Sequence, residues 1–188
     1  MDVLLDNITS DSLENRSIKA WAVSLDTSAY AYAYTTPSTT DMPAGISGTS
    51  NAYAVVSATV IKAGHWIELR ATFILLGCQA VLLYNNGWGE WEWENPPMSS
   101  GVEYRTTERY MGKSVYTKCV NYGYIAAGEH SIAHGIGNID NIVGLEMINS
   151  TYGNFTSYFN ASADRTNVSL NTPWNMGGFV YIMKYTKL

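Results

Sequence analysis

Apolar and polar side chains alternate with a period of two along most of this chain, the spacing that sends successive residues to opposite faces of a β-strand. Over residues 29–35 the alternation is literal, Ala-Tyr-Ala-Tyr-Ala-Tyr-Thr. Tyr30, Tyr32 and Tyr34 line one face, and small alanines on the other allow close packing. In WIELRATF, Trp66, Glu68, Arg70 and Thr72 share one side, while Ile67, Leu69, Ala71 and Phe73 share a core side. The segment AVLLYNNGWGEWEW reads as two strands joined through Asn85-Asn86-Gly87, since Asn and Gly tolerate the positive φ of a tight hairpin turn. Two more strands are predicted around Met111-Gly112-Lys113, and others over 142–148, 156–160, 167–170 and 178–186, the spacing of a β-sandwich. A helix is predicted only over 10–20, where Leu13, Ile18 and Trp21 are loosely spaced.

The breaks in this pattern divide the chain. Residues 35–51 hold two prolines, two glycines and many hydroxyls, the composition of a long loop, and loops of that length are often functional. Pro96-Pro97 interrupts the strands because proline lacks a ladder donor and fixes its own φ. The expected fold class is all-β, with two small antiparallel domains: a sheet domain over 1–97 and a β-sandwich over 98–188. No internal repeat and no low-complexity linker is visible.

Composition sharpens this. Charged residues are only 14% of the 188 residues, against about 25% in an average soluble protein. Gly, Ser, Thr, Asn and Tyr fill the gap, so the expected surface is built of hydroxyls and amides. A net charge of −5 without a basic cluster argues against nucleic acid as a partner. The longest nearly apolar run, residues 72–84, is too short for a membrane helix and is broken by Gly77 and Gln79, so no membrane insertion is expected. The start, MDVLLDNITSDS, has no positive n-region and reads as synthesis in the cytoplasm without a signal peptide. Cys78 and Cys119 sit in strand-like segments and read as buried free thiols rather than as a disulfide framework.

Two stretches resemble a known family. NNGWGEWEWENPPM (85–98) is similar to the closing strand of small knob domains near the ends of phage and phage-like bacteriocin tail fibres. GVEYRTTERYMGKSVYTK (101–118), with AHGI at 133–136 and the terminal GGFVYIMKYTKL, resembles the C-terminal head domain of tail fibres of phages and prophages of gut bacteria. Together they cover about residues 50–188. The resemblance implies a knob followed by a receptor-binding head, assembled as a homotrimer at a fibre tip. It implies a bacterial surface glycan or protein as receptor and other tail proteins as neighbours in the virion. Neither a shaft nor an attachment segment precedes the knob, so the chain reads as a separate tip protein or a piece of a longer fibre.

Candidate binding residues follow from the aromatics, whose flat faces stack on sugar rings while nearby amides bind hydroxyls. Trp91 and Trp93 would share a strand face opposite Glu90, Glu92 and Glu94; they either form a platform for ligand, contact another subunit or close the core. Tyr152, Tyr158 and Trp174 lie among Asn and Ser residues in the loop-rich C-terminal third, a composition shared with adaptable recognition loops. This region is the favoured receptor site, against the alternative that its aromatics are core. Donors and acceptors without charge suit neutral polysaccharides better than acidic ones.

Catalysis and cofactors find little footing. His130 and His134 lie four apart, but the residues between and after them suggest strand and turn, which would not aim both rings at one metal. His134 reads instead as a hydrogen-bonded residue at a turn or subunit seam. Glycoside hydrolysis needs two carboxyl groups across a cleft, whereas Glu90, Glu92 and Glu94 point together. No GxSxG elbow is present, and Gly135-Ile136-Gly137-Asn138 lacks the context of a dinucleotide site. The expectation is a non-enzymatic receptor-binding tip without metal or cofactor; the alternatives are a structural tail assembly protein and a glycan-cleaving depolymerase.

Overall fold

The protein is represented by a computed structural model that describes residues 11–25, 30–46, 49–61, 66–149, 153–154 and 160–188. Among the described residues it is all-β with one short helix. The chain divides into two compact units, Met1–Pro97 and Met98–Leu188.

The first unit contains β1 (Asp11–Ser12), α1 (Ile18–Ser24), β2 (Tyr30–Tyr34), β3 (Ala54–Ile61), β4 (Trp66–Phe73), β5 (Cys78–Asn85) and β6 (Glu92–Asn95). The strands pair in chain order, antiparallel from β2 to β6. The expected antiparallel pattern is modified at one edge, where β1 runs parallel to β2. Parallel neighbours need a crossover, and α1 lies in that connection. The helix begins later than the sequence suggests: Ser17 caps it by accepting the Ala20 N–H at 3.0 Å, and Asn15 takes a left-handed φ of 54° just before.

A cross-strand row Ala33, Val56, Ala71, Ala80 and Trp93 runs over five strands on the buried face. Leu69, Leu82 and Phe73 extend this core, and the rings of Phe73 and Trp93 lie 5.5 Å apart. The turn after β5 puts Asn86 at a φ of 55°, and a Tyr84–Trp88 bridge closes the hairpin. The long 35–51 segment is tied down where it is described. Thr35 and Thr39 are buried, Thr40 exchanges backbone hydrogen bonds with Arg16 and Ile18, and Ile46 is in the core.

The second unit contains β7 (Glu103–Tyr110), β8 (Lys113–Ile125), β9 (Gly128–Ala133), β10 (Ile139–Asn149), β11 (Gly153–Asn154), β12 (Asn160–Ala163), β13 (Asn167–Thr172) and β14 (Met176–Lys187). Met111 and Gly112, at φ of 50° and 79°, make the β7–β8 turn, as a two-residue hairpin loop with both central residues left-handed requires. One sheet has the order β7-β8-β14-β10-β11 and a smaller one β12-β13-β9. Their facing sides share one core: Ile132, Val168 and Leu170 from the small sheet, with Met147, Phe179, Tyr181, Met183 and Tyr185 from the large one. The unit is therefore a two-sheet sandwich. The strand expected over 156–160 falls mostly outside the described residues, and β9 and β12 were not anticipated.

Candidate functional site: a polar concavity on the small sheet

The small sheet turns Ile132, Val168 and Leu170 inward, so the period of two sends their neighbours outward. Glu129 and Ser131 of β9, Ser169 and Asn171 of β13, and Ser162 of β12 project from the other side. Register aligns them into two rows, Glu129 opposite Asn171 and Ser131 opposite Ser169, the latter continued by Ser162. Together with His130 and Leu170 they line a concavity of about 480 Å³. Its lining offers one carboxylate, three hydroxyls and one amide, and it contains no Lys or Arg.

The frame around it is hydrogen-bonded. At one end Thr172 donates its hydroxyl to the Ala126 carbonyl at 2.6 Å, and the Asn175 side chain accepts the Ala127 N–H at 2.8 Å, pinning the start of β9 to the end of β13. The His130 ring lies 2.7 Å from the same Ala126 carbonyl, folded back along its own strand. At the other end Asp164 closes the β12–β13 turn by accepting the N–H groups of Asn167 and Thr166, each at 2.7 Å, and the Thr166 hydroxyl at 2.8 Å. Those donors hold its carboxyl below the usual range, the Asn167 N–H most strongly. His134 is buried at that turn. Its Nδ1 accepts the Ile136 N–H at 3.1 Å, which assigns the ring proton to Nε2, the atom that donates to the Asp164 carbonyl at 3.2 Å.

The candidates from sequence separate here. Trp174 stands 48% exposed on the β13–β14 connection, two residues beyond Thr172 and thus at the end of the sheet where Glu129 and Asn171 lie. Trp93 is only 1% exposed against Phe73. It belongs to the core and offers no ring face to a ligand. Trp91 precedes β6 rather than sharing a strand face with Trp93; it is half-buried, and its indole N–H donates to the Asp41 carbonyl at 2.6 Å. That hydrogen bond ties the β6 end to the long segment before β3. Tyr152 and Tyr158 lie outside the described residues.

Of the carboxylates, Glu94 pairs with Arg70 at 2.7 Å beside Glu68, and Asp140 pairs with Lys113 at 2.6 Å. Among the described residues no three His, Cys, Asp or Glu side chains are grouped to hold a metal ion, and no helix is long and apolar enough to cross a membrane. Of the strands that carry the outward residues, β13 was expected over 167–170, and β9 was not. NVSLNT alternates polar and apolar over 167–171, whereas GEHSIA, with three consecutive polar residues at 129–131, carries no such pattern.

A second surface belongs to the first unit. On the side of its sheet opposite the core, Tyr30, Tyr34, Val55, Ile61, Trp66 and Leu83 are all exposed. The same face of the sheet carries the charged residues Glu68, Arg70 and Glu94.

Comparison with known proteins adds one distant likeness. No family model and no curated protein matches the chain. Among solved structures, an N-truncated R2-type pyocin tail fibre aligns over 97% of this chain and 98% of its own, at 7% identity and a TM-score of 0.35. A superposition that loose transfers neither a role nor a residue.

Proposed function

We propose that this chain is the receptor-binding tip of a phage or prophage tail fibre, which recognises a glycan or protein on the host surface without catalysis and works as a homotrimer in the virion. The observation that carries the reading is the polar concavity of the small sheet; Trp174 stands exposed on the connection that follows β13. Ser and Asn groups bind hydroxylated ligands without the cost of desolvating a charge, and Trp174 adds a stacking face. The exposed apolar side of the first unit supports self-association, because burying it between copies removes it from water. Three copies of a weak site then hold a cell through high effective concentration.

The test is adhesion of the labelled chain to a panel of intact bacteria, before and after periodate oxidation of vicinal diols and before and after surface proteolysis. Adhesion abolished by periodate identifies a glycan receptor, and adhesion abolished by protease identifies a protein. Trp174→Ala is expected to weaken adhesion. A chain that adheres to no strain, yet co-purifies with tail proteins, supports the second reading, a structural tail component whose exposed apolar sheet face contacts other virion proteins.

A further inference from the structure

The geometry points to a neutral or amine-bearing saccharide as the ligand of the small-sheet concavity, with Glu129 as the residue that selects it. The inference rests on the receptor reading and names the chemistry of its site.

Three features carry it. The volume, about 480 Å³, lies in the range of small-ligand sites, which are commonly about 300–1,000 Å³. Such sites are usually mostly apolar; here the outward side chains are Glu129, Ser131, Ser162, Ser169 and Asn171, so the lining suits a polyol rather than a lipid tail or a drug-like ring. The functional groups also form a grid. Neighbouring strands stand about 4.8 Å apart and same-face residues about 6.7 Å apart along a strand. Ser131, Ser169 and Ser162 thus make one row of hydroxyls and Glu129 with Asn171 a second row of acceptors and donors. A ring with hydroxyls on successive carbons meets both rows at once.

Selection follows from charge. Glu129 is exposed and has no ion pair among the described residues, and the lining contains no cation. An ionised carboxylate is acceptor-only, so it takes hydrogen bonds from paired sugar hydroxyls or from a sugar ammonium. A phosphorylated, sulfated or carboxylated sugar meets like charge instead. Asn171 opposite it supplies both a donor and an acceptor, and so suits ring and glycosidic oxygens.

The experiment measures retention of the full chain on an array of purified bacterial polysaccharides spanning neutral, aminated and acidic repeat units. The wild type is compared with Glu129→Gln, which keeps shape and removes charge, and Ser169→Tyr, which fills the concavity. Retention on neutral or aminated polymers is expected. Glu129→Gln is expected to weaken it about tenfold, the effect of one charge-assisted hydrogen bond. Ser169→Tyr, once its fold is confirmed by circular dichroism, is expected to abolish it; if that variant misfolds, Glu129→Gln decides.

Retention that neither variant changes overturns the site and leaves the receptor reading standing. Retention on acidic polymers as strong as on neutral ones overturns the role of Glu129. No retention on any polysaccharide overturns the ligand class. The receptor reading then stands or falls on adhesion to intact cells alone.

Discussion

Tyr185 on β14 donates its hydroxyl to the carboxylate of Glu103 on β7, although β8 lies between those two strands. Lys187 pairs with the other carboxylate oxygen and sits 4.7 Å above the ring of Tyr116, the residue of β8 opposite Tyr185. Three strands are thereby fastened at one point. Burial, then the hydrogen bond to Glu103, pushes the Tyr185 hydroxyl well above the ordinary tyrosine range.

The Tyr185 contribution has a definite pH sign. The folded value is raised above the unfolded one, so the stability it gives is complete below the ordinary tyrosine value of about 10 and is lost as pH climbs above it. Thermal unfolding of the wild type is expected to fall steeply between pH 10 and higher pH, and Tyr185→Phe is expected to flatten that fall. At pH 7 the same variant is expected to lose about 1.5–3 kcal/mol, the cost of one hydrogen bond to a charged group. An unchanged alkaline profile in Tyr185→Phe would refute the assignment.

Acid acts through Asp164. Its carboxyl is held below its ordinary value of about 3.9 by the Asn167 and Thr166 donors, so its contribution is present above that value and disappears as pH drops through the lower folded one. Asp164→Asn is expected to reduce the acid sensitivity of the second unit between pH 5 and 2 as followed by circular dichroism. Asp140, lowered by Lys113, acts in the same direction and is the control.

Trp93 is a packing residue, and its removal distinguishes core from platform. Trp93→Ala is expected to cost about 3–5 kcal/mol, the usual loss for a buried large aromatic. Polysaccharide retention should survive in any molecules whose second unit stays folded, as measured by limited proteolysis followed by the array. Loss of retention from a chain with full native stability would make Trp93 a ligand contact.

Self-association is read from mass. A trimer of the 20.7 kDa chain is expected by light scattering, and charge placed on the exposed sheet face, as in Leu83→Arg with Trp66→Glu, is expected to shift the population to monomer. A wild-type monomer at micromolar concentration would remove the trimer from the proposal.

Both thiols are buried, and that burial raises the pKa of each. Labelling by a disulfide reagent at pH 8 is expected to run about tenfold or more slower than for a free thiol until denaturant is added. Fast labelling of either cysteine in the native protein would contradict its placement.

Much of the strand pattern could be read directly. The alternation over 66–73, the Asn-Gly turn after β5 and the Met-Gly turn after β7 are local features, fixed by side-chain period and backbone φ within a few residues. The helix was misplaced because apolar spacing alone ignores the Ser17 cap and the left-handed Asn15. Trp91 and Trp93 look alike in sequence, yet one is fixed by a carbonyl fifty residues away and the other by Phe73. No local pattern contains either partner.

By itself, then, the sequence determined an all-β chain with a surface of hydroxyls and amides, because period and composition are properties of short segments. Tertiary structure alone decided which polar residues stand together. Glu129 and Asn171 are 42 positions apart and meet only through the β9–β13 register, and the apolar face of each strand points inward only because a second sheet is there to receive it. Burying those apolar faces against each other is the physical event that leaves the opposite, polar faces side by side in water.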